Sequence, residues 1–322
     1  MPASHSCCVY LGEELARYSF GYDHPFGPLR HDAFRQALYA QALEREVDIL
    51  HPVATTQETL ELFHDHAYIE TVKHRSKFGN GYLDQGDTPA FVGMYEAVLA
   101  VAGTVCNAVD RLIGGDYRTA FVPIAGLHHA RRHVAAGFCV VNDCGIAIEY
   151  LREQYGIKRV AYIDIDAHHG DGVFYGFEND PRALFADIHE DGRYLYPGTG
   201  SRSETGRGAA EGTKLNIPMP PGADDGVFLE AWQEVEDYLA ANPPELLLLN
   251  CGADSLQGDP ITHLAYSENA HGHAATRLRE LADEYCDGRV LGMGGGGYNR
   301  DNLARAWTRS VEGFIDAPSA LA

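Results

Sequence analysis

Two periods of apolar spacing run through the chain. Apolar runs with little polar interruption occupy 7–10, 120–124, 160–165, 184–186, 246–250 and 290–292, and turn-forming or charged residues bound them. Runs of this kind read as strands covered on both faces, the pattern of a parallel sheet. Between them, apolar residues recur three and four positions apart over 31–46, 65–77, 92–113, 142–155, 225–240 and 267–285, and a last helix starts near Asp301. That spacing puts one apolar stripe on each helix. Gly114-Gly115 and Gly156 stop two of the helices, and Thr55 with Glu58 three residues later reads as a capping box. Residues 23–30 form a proline-rich turn, 79–89 lacks any period and reads as an exposed loop, and 196–212 reads as a glycine-rich loop. Strands alternate with helices without a linker, repeat or low-complexity tract, so the expected architecture is α/β: a single domain over 1–322 with a central, mostly parallel sheet flanked by helices.

The polar residues that follow these strands change the picture from scaffold to site. The run Val160-Ala161-Tyr162-Ile163-Asp164-Ile165-Asp166-Ala167-His168-His169-Gly170-Asp171 places three carboxylates and two imidazoles directly after an apolar strand. Burying such groups unpaired costs several kcal/mol each, so they must bind a metal or one another. If the extended conformation continues to His168, Asp164, Asp166 and His168 share one face. His128-His129, Asp254 and Tyr298 likewise follow predicted strands. Ligands of open parallel sheets sit beyond the C-terminal strand ends, which predicts that these four signals meet in one crevice.

An Asp and a His suit a borderline divalent ion such as zinc, and Asp166 and His168 are the first two candidate ligands. Asp254, at the end of a leucine run, is the preferred third, with Asp187 as its competitor. His128 and His129 offer an acid and a base near neutral pH, and Asp164 and Asp171 could orient them. Tyr298 follows Gly294-Gly295-Gly296-Gly297, a flexible turn that can bring a phenol to a developing oxyanion. His64, His66 and His74 read as surface or capping residues. The four glycines lack the GK[ST] ending of a phosphate loop, and neither a nucleophile elbow nor a dinucleotide fingerprint is present. The reaction class these parts describe is metal-assisted attack of water on a polarised carbonyl.

Composition narrows the partners. The 322 residues carry a net charge of −21, spread along the chain, which disfavours direct nucleic-acid and anionic-membrane partners and suits either a cationic substrate or simply solubility. Seven cysteines without a CxxC pair read as reduced core thiols. With no leader-like start and no apolar run of membrane-spanning length, the expectation is a soluble, cytoplasmic protein. The sequence carries no signal for an oligomeric state.

Taken together, the motifs resemble the histone deacetylase family, including its bacterial acetoin-utilisation-type members and acetylpolyamine amidohydrolases. The likeness rests on His24-Pro25 with Arg30, Gly126-Leu127-His128-His129-Ala130, Gly137-Phe138-Cys139 with Asn142-Asp143, residues 162–172, Tyr196-Pro197-Gly198-Thr199-Gly200, Gly252-Ala253-Asp254 with Gly258-Asp259-Pro260, and 294–298 with Asn302 and Arg305. The resemblance implies an arginase-like fold and zinc-dependent hydrolysis of an N-acyl amide. It implies zinc ligands Asp166, His168 and Asp254, His129 paired with Asp171 as general base and acid, His128 paired with Asp164 as charge stabiliser, and Tyr298 as the carbonyl's hydrogen-bond donor. It further implies a tunnel lined by Gly137 and Phe138, a rim aspartate at Asp87, an internal-channel arginine at Arg30, and a potassium ion held by the backbone of Asp164, Asp166, His168 and Ile188 with the Asp187 side chain. Ala125 and Leu127 depart from the glycine and tryptophan that some members carry. Ile261 stands where polyamine-specific relatives have an acidic gatekeeper, which favours acyl-lysine in proteins or peptides; the alternative is an acetylpolyamine or another small cationic acyl-amine.

Overall fold

In a computed structural model, which describes residues 5–315, the leucine run at 246–250 lies at the middle of the sheet. Among the described residues the strands are β1 (Cys7–Tyr10), β2 (Asp48–Leu50), β3 (Thr119–Val122), β4 (Val160–Asp164), β5 (Ala183–Glu190), β6 (Lys214–Met219), β7 (Leu246–Asn250) and β8 (Val290–Met293). They form one eight-stranded sheet in the order β2-β1-β3-β8-β7-β4-β5-β6, and every pairing is parallel. Every residue of β4 and β7 is buried, as uninterrupted apolar strands require.

The helices are α1 (Glu13–Ala16), α2 (Leu29–Ala40), α3 (Gln57–Leu60), α4 (His66–Ser76), α5 (Met94–Ile113), α6 (Asp143–Tyr155), α7 (Asp171–Gly176), α8 (Asp225–Ala241), α9 (Glu268–Tyr285) and α10 (Arg300–Phe314). Helix α10 packs between α2 and α9, and α5 packs on α6 and β3. Trp307 of α10 is fully buried, and its indole N–H donates to the carbonyls of Cys251 and Gly294, tying this layer to the ends of β7 and β8. All seven cysteines are buried. No helix of the described residues is long and apolar enough to cross a membrane.

Several expectations need correction. The helix expected over 31–46 is α2 plus a 3₁₀ turn at Leu43–Arg45, because Ala42 adopts a left-handed φ of 58° and breaks the α-helical path. The residue capping α3 is Thr56 rather than Thr55, and its side chain makes no cap bond; the Thr55 hydroxyl bonds the Thr59 hydroxyl instead. Strands β2 and β6 lie where no strand was expected, and the strand expected at 184–186 extends through Glu190, which puts Asp187, Ile188 and His189 inside it.

Candidate active site

The four strands that end in polar signals, β3, β8, β7 and β4, are consecutive in the sheet. Their C-terminal ends therefore open on one crevice, and the polar residues expected to meet do meet there.

At its centre Asp166, His168 and Asp254 each offer one donor atom, all within 4.8 Å of one another, and all three are buried. His168 Nδ1 lies 3.1 Å from Asp166 Oδ1 and 3.0 Å from Asp254 Oδ2. Asp187 is not part of this cluster: its carboxylate accepts from His189 Nδ1 at 2.7 Å and from the Gly170 N–H at 2.8 Å. The conditional expectation of one extended face through His168 fails. Strand β4 stops at Asp164, whose Oδ1 accepts the Asp166 N–H, and Asp166 Oδ1 accepts the His168 N–H. These two local turns aim Asp164 at a histidine of the dyad and leave Asp166 and His168 facing Asp254.

The donor set fits a divalent cation. Burial and the neighbouring Asp166 push the Asp254 carboxyl up to about 7, whereas His128 and His168 outweigh burial to hold Asp166 well below the usual carboxylate range. Both carboxylates outweigh the burial of His168 and raise its imidazole to about 10. Asp254 and His168 thus hold protons beside an ionised Asp166, where a cation would satisfy all three groups. Gly296 leaves room for this cluster, since a Cβ there would meet the side chains of Asp254 and Asp166, and its N–H donates to Asp166 Oδ2 at 2.7 Å.

Beside the cluster, His128 Nε2 lies 3.0 Å from His129 Nε2 and 3.8 Å from Asp166 Oδ1. His128 Nδ1 donates to Asp164 Oδ2 at 2.7 Å, and His129 Nδ1 donates to Asp171 Oδ1 at 2.8 Å. Burial alone would push His128 down, but Asp164 and Asp166 prevail and raise it to about 10. Burial and the charge of His128 push His129 down to about 4. One imidazole is thus a cation and its neighbour a free base, the separation that acid–base chemistry needs.

Asparagine 142 holds the backbone beneath this dyad. As the N-cap of α6 it accepts from the Gly145 N–H at 2.8 Å, and its amide donates to the carbonyls of His128 and Ala130. His64, expected as a surface or capping residue, is buried, and its Nε2 accepts the Asn142 N–H at 2.8 Å; His66 and His74, expected likewise, are exposed. We expect Asn142→Ala to lower stability by about 2–3 kcal/mol, from a lost cap and two stranded carbonyls. A urea-unfolding midpoint equal to that of the parent would show that other contacts hold this turn.

Tyr298 lies across the crevice. Burial, Asp254 and Asp166 raise its phenol well above the ordinary value, so it remains a donor. Arg30 shapes the turn that delivers it, donating from Nε to the Gly297 carbonyl at 2.9 Å and from Nη2 to the Gly295 carbonyl at 2.6 Å. The guanidinium also lines a cavity of about 360 Å³ with His24 and Tyr298. Phe138 packs edge-on to Tyr298, with ring centroids 5.7 Å apart. Its own φ is +67°, a strained value for a phenylalanine, held by Thr88 Oγ1 on its N–H and the Tyr18 hydroxyl on its carbonyl. Gly137 must lack a side chain, since its φ is +53° and a Cβ would collide with the His129 ring. Asp87 is exposed at the end of the loop 79–89, and Ile261 is half-buried, with its N–H on Asp259 Oδ1. Asp187 and Ile188 lie in β5, where Asp187 pairs in register with Asp164.

Several supporting roles escaped the sequence reading. Tyr196 stands against the His129 ring at 5.2 Å and so faces the crevice. The Tyr162 hydroxyl donates to Asp164 Oδ2 at 2.6 Å, a contact its i−2 position on one strand face could have signalled. Asn250 reaches the same oxygen at 3.3 Å from the neighbouring strand, and Arg131 Nη2 reaches Asp171 Oδ2 at 3.1 Å; neither has a signal in the sequence.

Comparison with known proteins agrees with this geometry. The family model "Histone deacetylase domain" matches residues 24–314. The acetoin utilization protein AcuC of Bacillus subtilis is 38% identical over 301 residues, covering 91% of this chain and 78% of the relative. The protein of the same name from Staphylococcus xylosus is 34% identical over 312 residues, covering 93% and 80%. With the family match spanning nearly all of the described sheet and its crevice, the chain belongs to the histone deacetylase family of hydrolases.

Proposed function

We propose that the chain is a zinc-dependent deacetylase whose substrates are acetyl-lysine side chains of proteins or peptides. The observation that carries this reading is the adjacent pair of histidines, His129 bonded to Asp171 and His128 bonded to Asp164, at the edge of the Asp166, His168 and Asp254 cluster. A zinc ion held by that cluster would supply a Lewis acid for the acyl oxygen and acidify the attacking water.

The chain's own residues then divide the remaining work. His129, oriented through Nδ1 by Asp171, accepts the water's proton at Nε2 and returns it to the leaving amine. His128, kept cationic beside Asp164, balances the negative charge that develops next to it. Tyr298 donates its phenolic proton in a hydrogen bond to the acyl oxygen. Phe138 and Tyr196, with Gly137 between His129 and Tyr196, flank the lysine methylenes, and Asp87 accepts hydrogen bonds from substrate backbone at the rim. Arg30 faces the cavity through which acetate would leave. The backbone carbonyls of Asp164, Asp166, His168 and Ile188 with the Asp187 side chain would hold a potassium ion. The place of action is the cytoplasm, where the buried cysteines stay reduced.

Ile261 favours the lysine substrate, because an apolar rim residue offers nothing to the second ammonium of a polyamine. The test is turnover of an acetyl-lysine peptide against N-acetylputrescine by zinc-reconstituted protein, with and without a hydroxamate chelator. Chelator-sensitive turnover higher for the peptide is expected. Preference for N-acetylputrescine would transfer the assignment to acetylpolyamines, and no turnover of either would overturn the deacetylase reading.

A further inference from the structure

The two His–Asp pairs of the crevice differ in what holds the carboxylate. Asp164 is fixed from inside the protein: the Tyr162 hydroxyl and the Asn250 amide reach its Oδ2, and the Asp166 N–H reaches its Oδ1. These partners are themselves buried. Asp171 is equally buried, yet apart from His129 the side-chain partner shown for its carboxylate is Arg131, which bonds Oδ2 at 3.1 Å. The Arg131 side chain is 47% exposed and that of Asp171 only 2%. Asp171 nevertheless borders a cavity of about 370 Å³, lined also by Arg131, Asp87, Ala136 and Tyr196. One guanidinium thus stands between an open cavity and the carboxylate that orients His129. It is itself steadied by Tyr175, whose ring centroid lies 5.5 Å from the guanidinium carbon, and by a backbone bond from the Arg131 N–H to the Val134 carbonyl.

We propose that Arg131 is a positioning residue for the reaction, holding Asp171 through its outer oxygen so that the inner oxygen stays aligned on His129 Nδ1. This inference rests on the reading of His129 as the general base. A carboxylate tied at one oxygen only can rotate about its Cβ–Cγ bond and take water from the cavity at the other. The His129 ring would then lose its fixed orientation toward the donor cluster. A guanidinium suits the task better than an ammonium, because its planar fork constrains direction as well as charge. Arg131 touches neither the donor cluster nor the reacting atoms, so its effect should appear in turnover rather than in substrate affinity.

The experiment uses the full chain loaded with zinc and compares Arg131→Ala and Arg131→Lys with the parent. We expect Arg131→Ala to lower kcat on the order of 10-fold with KM little changed, and Arg131→Lys to recover part of the loss. Guanidinium ion added to Arg131→Ala should restore turnover, because the emptied space joins the cavity that borders Asp171. A second readout does not use activity. In histidine-labelled protein, the low-field proton shared by His129 and Asp171, identified by its disappearance in Asp171→Asn, should weaken in Arg131→Ala and return with guanidinium. An unchanged kcat and an unchanged proton signal in Arg131→Ala would overturn the proposal. So would a loss of kcat that neither lysine nor guanidinium repairs, since that marks general damage to the loop. If the parent cleaves no N-acyl amide, the general-base reading fails, while the proton signal still decides whether Arg131 holds Asp171.

Discussion

Replacing His129 by alanine is expected to lower kcat by roughly 10³-fold while zinc content stays that of the parent. The separation follows from the geometry: His129 is paired with Asp171 and adjoins His128, but it is not one of the three residues whose donor atoms converge. In the proposed division of roles it is the base of the pair, in keeping with burial and the adjacent His128 pushing it down to about 4 while His128 is raised to about 10. His128→Ala should cost less, because a neutral base remains and only a balancing charge is lost. Steady-state kinetics together with metal analysis of the same samples check both statements. If His129→Ala kept turnover within about tenfold of the parent, the proton would have to travel through His128 and the assignment of roles would be reversed.

The second large effect concerns the cluster of Asp166, His168 and Asp254. Asp254→Asn preserves shape and can still accept the Ala167 N–H that Asp254 Oδ1 now takes at 3.0 Å, but it removes one negative charge. Zinc affinity should fall by at least about 100-fold, the upper end of what altering an outer partner costs, and turnover should fall with it. Metal binding should also be proton-linked. Without a cation, His168 stays protonated up to about 10 and Asp254 up to about 7, and both must give up protons to act as ligands. Affinity therefore rises with pH. Calorimetry in buffers of different ionisation enthalpy should find about two protons released near pH 6 and about one near pH 8. Release that does not change across this range would mean that Asp254 binds no proton in the metal-free site.

Much of the scaffold was legible because local free energies pointed one way. Strands β4 and β7 are uninterrupted apolar runs, and such segments have no stable place except inside a sheet covered on both faces. Helices α5, α6, α8 and α9 lie within two residues of the ends their apolar spacing predicted, with Gly114 and Gly156 at two of their C-terminal caps. The edges were not legible. Strand β2 is three half-buried residues, and β6 carries Lys214, Asn216 and Pro218 among its apolar positions. Proline is tolerated there because an edge strand leaves one row of N–H groups without a ladder partner. Lys214 is nevertheless buried, and its ammonium donates to the carbonyls of Asp180 and Ala183 and to the Thr213 hydroxyl, partners that no local pattern announces.

The same division runs through the candidate site. By itself the sequence determined the kinds of groups present and the strand ends that carry them: Asp166 and His168 after β4, the histidine pair after β3, Asp254 after β7 and Tyr298 after β8. Position along the chain settles this, because apolar periodicity places strand ends to within a few residues and a parallel sheet aligns those ends along one edge. Only the tertiary structure decided the rest. It chose Asp254 over Asp187 as the third member of the cluster, turned Asp164 away from Asp166 and His168, set Arg131 on Asp171, and brought Arg30 onto the carbonyls of Gly295 and Gly297. Each of these depends on strand order and loop packing between residues far apart in the chain, where a shift of one ångström makes or breaks a hydrogen bond and no local preference can register it.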